Sequence, residues 1–219
     1  MLSRFAGALI PAVGRLSVTT DPGAVVAPGS LVVANHTSLA DPAVVLAALR
    51  GRGVEPVVMA AAGLWRIPVL GAVLTRGGHI RVYRHDRRAA RAVDDAAAVL
   101  ASGRVVLVYA EGGIADRPDS GELPPGPFRS GPARLAALTG APVVPVGQAG
   151  ARRVTSGTVP KQVAGLLTAP VRRPRLHVHI GTPLRLSADT KAATAEAHAA
   201  VTRAWRTAAD HAARSPRPA

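Results

Sequence analysis

A histidine and an aspartate five residues apart, His36 and Asp41, form the most chemically suggestive pair in the sequence. They sit in Asn35-His36-Thr37-Ser38-Leu39-Ala40-Asp41, just past the apolar run Leu31 to Ala34. Neutral imidazole can take a proton from a hydroxyl near pH 7. A carboxylate on the other ring nitrogen fixes the tautomer and stabilises the imidazolium that forms. This is a Ser-His-Asp triad with the serine replaced by a substrate hydroxyl. Local spacing alone leaves a plainer reading open. Asp41 followed by Pro42 is also an ordinary helix start, with His36 a loop histidine. Ser38 is a poorer nucleophile, since no glycine-flanked strand-turn pattern surrounds it.

Such a pair must be held by the elements around it, and these alternate. Strands are expected at Leu31 to Ala34, Pro56 to Ala60, Gly78 to Tyr83, Val105 to Ala110, Pro142 to Val146 and Leu176 to Ile180. Val105 to Ala110 is apolar enough to be central and fully buried. Helices are expected at Asp41 to Arg50, Arg87 to Ser102, from a Ser130 cap to Gly140, and from a Ser187 cap to about Ala213. Glu111 to Pro127 reads as a long loop. Alternation of this kind implies an α/β fold: a single domain with a central, largely parallel sheet flanked by helices. Sites in such sheets gather at the carboxyl ends of the strands, where the loops after Ala34, Tyr83 and Ala110 fall. Residues 1–20 read as an N-terminal segment able to lie as a helix in a membrane interface. Residues 21–213 read as the domain and 214–219 as a disordered tail.

Composition narrows the partners. The formal net charge is +14 over 219 residues, carried almost entirely by Arg, since only Lys161 and Lys191 are lysines. Arg suits phosphate and carboxylate, so an anionic partner is expected: anionic lipid, coenzyme phosphate or an acidic carrier protein. A GC-rich genome would raise Arg and Ala to the same effect without any functional cause. Nucleic acid is disfavoured because the six aromatic residues are scattered, with none interleaved in a basic stretch. No cysteine is present, which excludes disulfides and thiolate chemistry. The most apolar stretch, Pro56 to Thr75, carries Arg66 along with Gly63, Pro68 and Gly71. A central Arg costs roughly 2.5–3.5 kcal/mol on insertion, so the stretch reads as a buried strand followed by an apolar helical surface. Met1 to Val18 has no clear signal-peptide cleavage pattern.

Four further segments follow the His36 motif in order: Gly78-His79-Ile80-Arg81-Val82-Tyr83-Arg84, Tyr109-Ala110-Glu111-Gly112, Phe128-Arg129-Ser130-Gly131 and Val143-Val144-Pro145-Val146. With Asn35-His36-x4-Asp41, the set from about Leu31 to Gly147 resembles the glycerolipid acyltransferases of the lysophosphatidic acid acyltransferase type. The resemblance implies a glycerol-3-phosphate acyltransferase-like fold. It implies His36 as general base and Asp41 as its orienting carboxylate. Asn35, Arg84, Glu111 and Gly112 would belong to the acceptor site, Pro145 would help shape an acyl pocket, and Val57 to Leu74 would supply the acyl channel or a membrane face. The co-substrate would be acyl-CoA or acyl carrier protein, with no metal or cofactor besides. The acceptor would be a lysophospholipid, 1-acyl-sn-glycerol 3-phosphate first. The setting would be the cytoplasmic face of the cell membrane, with the protein peripheral or monotopic on an anionic surface.

The third motif departs from the family's usual Phe-Pro-Glu-Gly-Thr-Arg. Gly113 stands in place of Thr and Ile114 in place of the Arg that clamps the acceptor phosphate. Arg117, Arg129 or Arg81 would have to substitute, or the acceptor is another lysolipid, an amino-acid lipid or a glycolipid. A non-catalytic lipid-surface module on the same fold is the rival from another class. Weaker signals are His177 and His179 on one strand face as metal ligands, the partial glycine loop Gly147-Gln148-Ala149-Gly150, and the pairs Arg152-Arg153 and Arg172-Arg173 as headgroup contacts.

Overall fold

The computed structural model describes residues 1–83, 89–114 and 119–214. Its core is a seven-stranded sheet: β1 (Arg15–Thr20), β2 (Leu31–Ala34), β3 (Val57–Ala61), β4 (Ile80–Val82), β5 (Val106–Tyr109), β6 (Val143–Ala149) and β7 (Arg175–Ile180). The order across the sheet is β1-β7-β6-β2-β5-β3-β4. The block β6-β2-β5-β3-β4 is parallel throughout, and β1 pairs parallel with β7. Among these strands the β6–β7 pair is the antiparallel one, and Val143 of β6 also makes an antiparallel bridge to Leu184.

The alternation of apolar side chains along the strands builds a core on each face. Val32, Ala34, Leu107, Val144, Leu176 and Val178 point to the face covered by α1 (Leu2–Val13), α2 (Asp41–Gly51) and α6 (Val159–Arg172). Leu31, Val33, Val106 and Val143 point to the face covered by α4 (Ala89–Ala101), α5 (Gly131–Thr139) and α7 (Thr190–Ala213). All of β2 and β6 is buried, as strands with helices on both sides must be. The helix α3 (Pro68–Arg76), preceded by a short 3₁₀ turn at Ala62–Arg66, follows β3.

The structure departs from the sequence expectations at five places. The N-terminal segment is not one interfacial helix: α1 stops at Val13, and Arg15–Thr20 joins the sheet edge beside β7, so no boundary falls at residue 20. The β-branched Val18, Thr19 and Thr20 favour this extended state. β5 lies off the sheet centre, which β2 occupies, and its Val108 and Tyr109 are only partly buried. α6 stands at Val159–Arg172, where no helix is expected, while α2 begins at Asp41 as expected. The cap of α7 is Asp189, whose Oδ1 accepts from Ala192 N–H at 2.7 Å, in place of Ser187. Gly147 to Ala149 continue β6, so no glycine loop forms there. A Cβ on Gly147 would lie 2.1 Å from the Ala204 carbonyl carbon, so the glycine lets α7 press onto the sheet. Of the expected tail, 214–219, Arg214 is the C-cap of α7 and 215–219 lie outside the described residues.

Candidate active site

The loop after β2 is where the sheet delivers His36, and Asp41 meets it as α2 begins. Their side chains are hydrogen-bonded, His36 Nδ1 to Asp41 Oδ2, at 3.1 Å. The Asp41 side chain is fully buried and that of His36 is 15% exposed. Oδ2 also accepts the backbone N–H groups of Thr37 and, at 2.8 Å, Ser38. Burial pushes the Asp41 carboxyl up, against hydrogen bonds from His36, Ser38 and Thr37 that hold it down. Three donors on one oxygen are the pattern of an ionised carboxylate. Nδ1 of His36 therefore carries the proton, and Nε2 is left with its lone pair.

The loop itself is held from β6 and β5. Asn35 is buried and pairs with Gln148 on β6: its Nδ2 donates to Gln148 O at 3.1 Å and its Oδ1 accepts from Gln148 N–H at 2.8 Å. Ser38 Oγ bonds to Thr155 Oγ1 at 2.6 Å, and Thr155 Oγ1 also accepts from Ala40 N–H. Arg152 is buried and donates through Nη1 to Thr37 O at 2.9 Å and through Nη2 to Asp119 O. From β5, Glu111 accepts His36 N–H at 2.7 Å on Oε1 and Gly126 N–H at 2.9 Å on Oε2. The Tyr109 ring packs on the His36 ring, centroids 4.5 Å apart. Burial raises the Tyr109 phenol well above its ordinary range, so it stays neutral.

His36 and Tyr109 line a cavity of about 980 Å³. Its walls are largely apolar: Phe5 and Leu9 from α1, Leu46 from α2, Val58 and Met59 from β3, and Leu74 from α3. Gly112, Gly113, Ile114, Arg129 and Arg134 complete it. The family model for Acyltransferase matches residues 17–148. The chain belongs to the Acyltransferase family. The solved 1-acyl-sn-glycerophosphate (LPA) acyltransferase PlsC from Thermotoga maritima shares the fold at a TM-score of 0.70 and 20% identity, covering 99% of this chain and 80% of that one. No curated protein sequence matches the chain.

In this acyltransferase the expected residues divide by what they touch. His36, Gly112 and Arg129 line the cavity. Gly112 has φ +74°, and a Cβ there would come within 3.1 Å of Arg129 Cγ. Asn35 and Glu111 are not on the cavity wall: Asn35 pairs with the Gln148 backbone of β6, and Glu111 accepts the backbone N–H groups of His36 and Gly126. Arg84 and Arg117 lie outside the described residues. Arg81 stacks over the Trp65 ring at 5.1 Å and is no part of the cavity. Pro145 is also absent from it; its carbonyl accepts Gly181 N–H toward β7.

Of the weaker signals, Arg152, His177 and His179 resolve into structure. Arg152 is a buried brace, not a headgroup contact. His177 lies between Ser17 (2.7 Å) and Thr19 (2.9 Å), and His179 between Thr19 (2.8 Å) and Asp21 (3.0 Å). Among the described residues no group of three or more His, Asp or Glu is placed to hold a metal ion. The sequence reading missed Arg134 and Thr155, and took Arg152 for a headgroup contact and Gln148 for part of a glycine loop. Of the two missed, only Arg134 carried a signal, its place on an expected helix five residues after Arg129.

Proposed function

We propose that this acyltransferase moves a fatty acyl group from an acyl-CoA or acyl carrier protein thioester to the hydroxyl of a lysophospholipid, in phospholipid biosynthesis. The leading acceptor is 1-acyl-sn-glycerol 3-phosphate and the product phosphatidic acid. One observation carries the reading: a histidine oriented through Nδ1 by a buried carboxylate, on the wall of a large apolar cavity. The cavity suits an acyl chain, and Nε2 of His36 suits the acceptor hydroxyl.

In this reading the acceptor oxygen attacks the thioester carbonyl while Nε2 takes its proton. Asp41 stabilises the imidazolium. The tetrahedral intermediate collapses, the carbon–sulfur bond breaks, and the imidazolium returns the proton to the departing thiolate. Tyr109 holds the ring from its face. Arg129 and Arg134 are both exposed on the cavity wall and supply cations for an anionic headgroup where Ile114 supplies none. The favoured setting is peripheral on a membrane, since no described helix is long and apolar enough to cross one. The exposed Phe5 and Leu9 of α1 lead from that surface into the cavity.

The test is transfer from labelled acyl-CoA, then from acyl carrier protein, to a panel of lysolipids, with His36→Ala alongside. Transfer to lysophosphatidic acid that disappears in His36→Ala supports the whole reading. Transfer only to neutral or zwitterionic lysolipids replaces the acceptor, and transfer that survives His36→Ala sinks the mechanism.

A further inference from the structure

Helix α6 turns its large apolar side chains outward. Val159, Val163, Leu166, Leu167 and Val171 are 71, 52, 46, 73 and 89% exposed. Their spacing places them on one stripe of the helix. The side that meets the body of the protein is made of small residues. Ala169 is buried, and Gly165 sits so close that a Cβ would lie 2.4 Å from the Val154 carbonyl oxygen. A helix of a globular domain ordinarily buries its apolar stripe; α6 buries alanine and glycine and leaves valine and leucine outside.

The chain segments that carry and adjoin this stripe are basic. From Gly150 to Pro174 the chain holds Arg152, Arg153, Lys161, Arg172 and Arg173 and no acidic residue, and Met1 to Gly14 holds Arg4 and none. Arg152 is buried and spent on the active-site loop, but Arg153, Arg172 and Arg173 are exposed. The hydrogen bonds of Arg172 go to Thr168, Arg153 and Gly165 oxygens, all neutral, and among the described residues no carboxylate is paired with it. Pairing this face with a second copy would bring cations against cations. An anionic lipid surface complements both the apolar stripe and its basic rim.

The helix α6 also adjoins α1, which lines the cavity. Arg173 Nη2 donates to Pro11 O at 3.0 Å, tying the end of α6 to the end of α1 on the same face of the sheet. The neighbouring α1 carries the exposed Phe5 and Leu9 that line the cavity with His36. We infer that α6 is a second membrane-contacting helix, its Val163–Leu167–Val171 stripe seated in the interface of an anionic bilayer beside the mouth through which the lipid enters. This rests on the reading of the acceptor as a membrane lipid.

The chain has no cysteine, so a single one can be introduced as a probe. Leu167→Cys and Val163→Cys would carry an environment-sensitive fluorophore, with Lys191→Cys on α7, across the sheet, as control. Vesicles of phosphatidylcholine with phosphatidylglycerol should blue-shift the probe at 163 and 167 and allow brominated lipid to quench it, while the probe at 191 stays in water. The double variant Val163→Asp/Leu167→Asp should bind these vesicles at least about tenfold more weakly, yet acylate a detergent-dispersed lysolipid at the wild-type rate. Probes that stay in water while the protein floats with the vesicles would overturn the inference. So would self-association that protects 163 and 167 without lipid, or wild-type protein that acylates dispersed lysolipid and binds no vesicle. Insertion at 163 and 167 without any acyl transfer would uphold α6 and sink the substrate reading instead.

Discussion

Asp41→Asn separates the charge of the carboxylate from its geometry. In wild type, Oδ2 accepts from Thr37, Ser38 and His36, while Oδ1 is buried with no hydrogen-bond partner. Two backbone amides therefore dictate which way an asparagine must turn: its oxygen takes the place of Oδ2 and its NH₂ the place of Oδ1. The His36 tautomer is kept and only the charge is lost. An ion pair about 4 Å between charge centres is worth about 4 kcal/mol at an effective dielectric near 20. The amide dipole returns part of this, leaving about 3 kcal/mol, or roughly a hundredfold in kcat, with KM for both substrates unchanged. Where the amide flips and the tautomer is lost, the fall is about 10⁴. Stability should move by no more than about 2 kcal/mol: an unpaired buried NH₂ costs about 1–3 kcal/mol, and removing a buried charge offsets it. Steady-state kinetics and urea unfolding check both. A kcat within about tenfold of wild type would refute the role given to the carboxylate, and a fall of about 10⁴ would refute the argument that the Thr37 and Ser38 amides fix the orientation.

Other consequences are equally direct. Burial, helped by His211 and His179, lowers His177 from 6.5 to about 4. The unfolded chain thus takes a proton that the fold refuses, so this contribution is complete above pH 6.5 and about 3 kcal/mol is lost by pH 4. Urea midpoints for wild type and His177→Gln at both ends of that window should show the difference. Glu111→Gln must aim an NH₂ at either the His36 or the Gly126 amide. It should cost about 1–3 kcal/mol in urea unfolding and lower kcat as the His36 backbone loosens. Arg129→Ala and Arg134→Ala should each raise KM for lysophosphatidic acid about tenfold, the worth of a charge-assisted hydrogen bond, and leave a neutral lysolipid unaffected.

The parallel block was legible because each of its strands is an apolar run between breakers, as at Leu31 to Ala34. β1 was not: its side chains are half-exposed, so no apolar run marks it, and its partner β7 lies about 160 residues away. α6 was hidden by Pro160, Gly165 and Pro170, which read as breakers. Its stripe also points to solvent, so it does not signal a core. At the site, spacing was enough for His36 and Asp41. It could not show that Asn35 and Glu111 bond to backbone groups, because a motif states which residues gather, not which way each one faces. Arg152 and Thr155 reach the loop from more than a hundred residues downstream, and an arginine pair such as Arg152-Arg153 reads in sequence as surface.

The site therefore separates two jobs, and this leaves Gly113 and Ile114 free to differ from the Thr and Arg that the resemblance leads one to expect there. Asn35, Glu111, Arg152 and Thr155 hold the loop through backbone groups, and His36 is the loop's link to the cavity. Gly113 and Ile114 belong to the cavity wall and to none of these bonds. Changing them alters what the wall offers a ligand without touching the base. Ile114→Arg should then act on the acceptor alone. A guanidinium on that wall adds a fork for phosphate, and a charge-assisted bond of about 1.5–3 kcal/mol lowers KM for lysophosphatidic acid about tenfold or more. The kcat for a neutral lysolipid should stay within about twofold, because the His36–Asp41 bond and its braces are unchanged. If kcat falls for every acceptor alike, the wall and the base are coupled, and the separation of the two jobs is wrong.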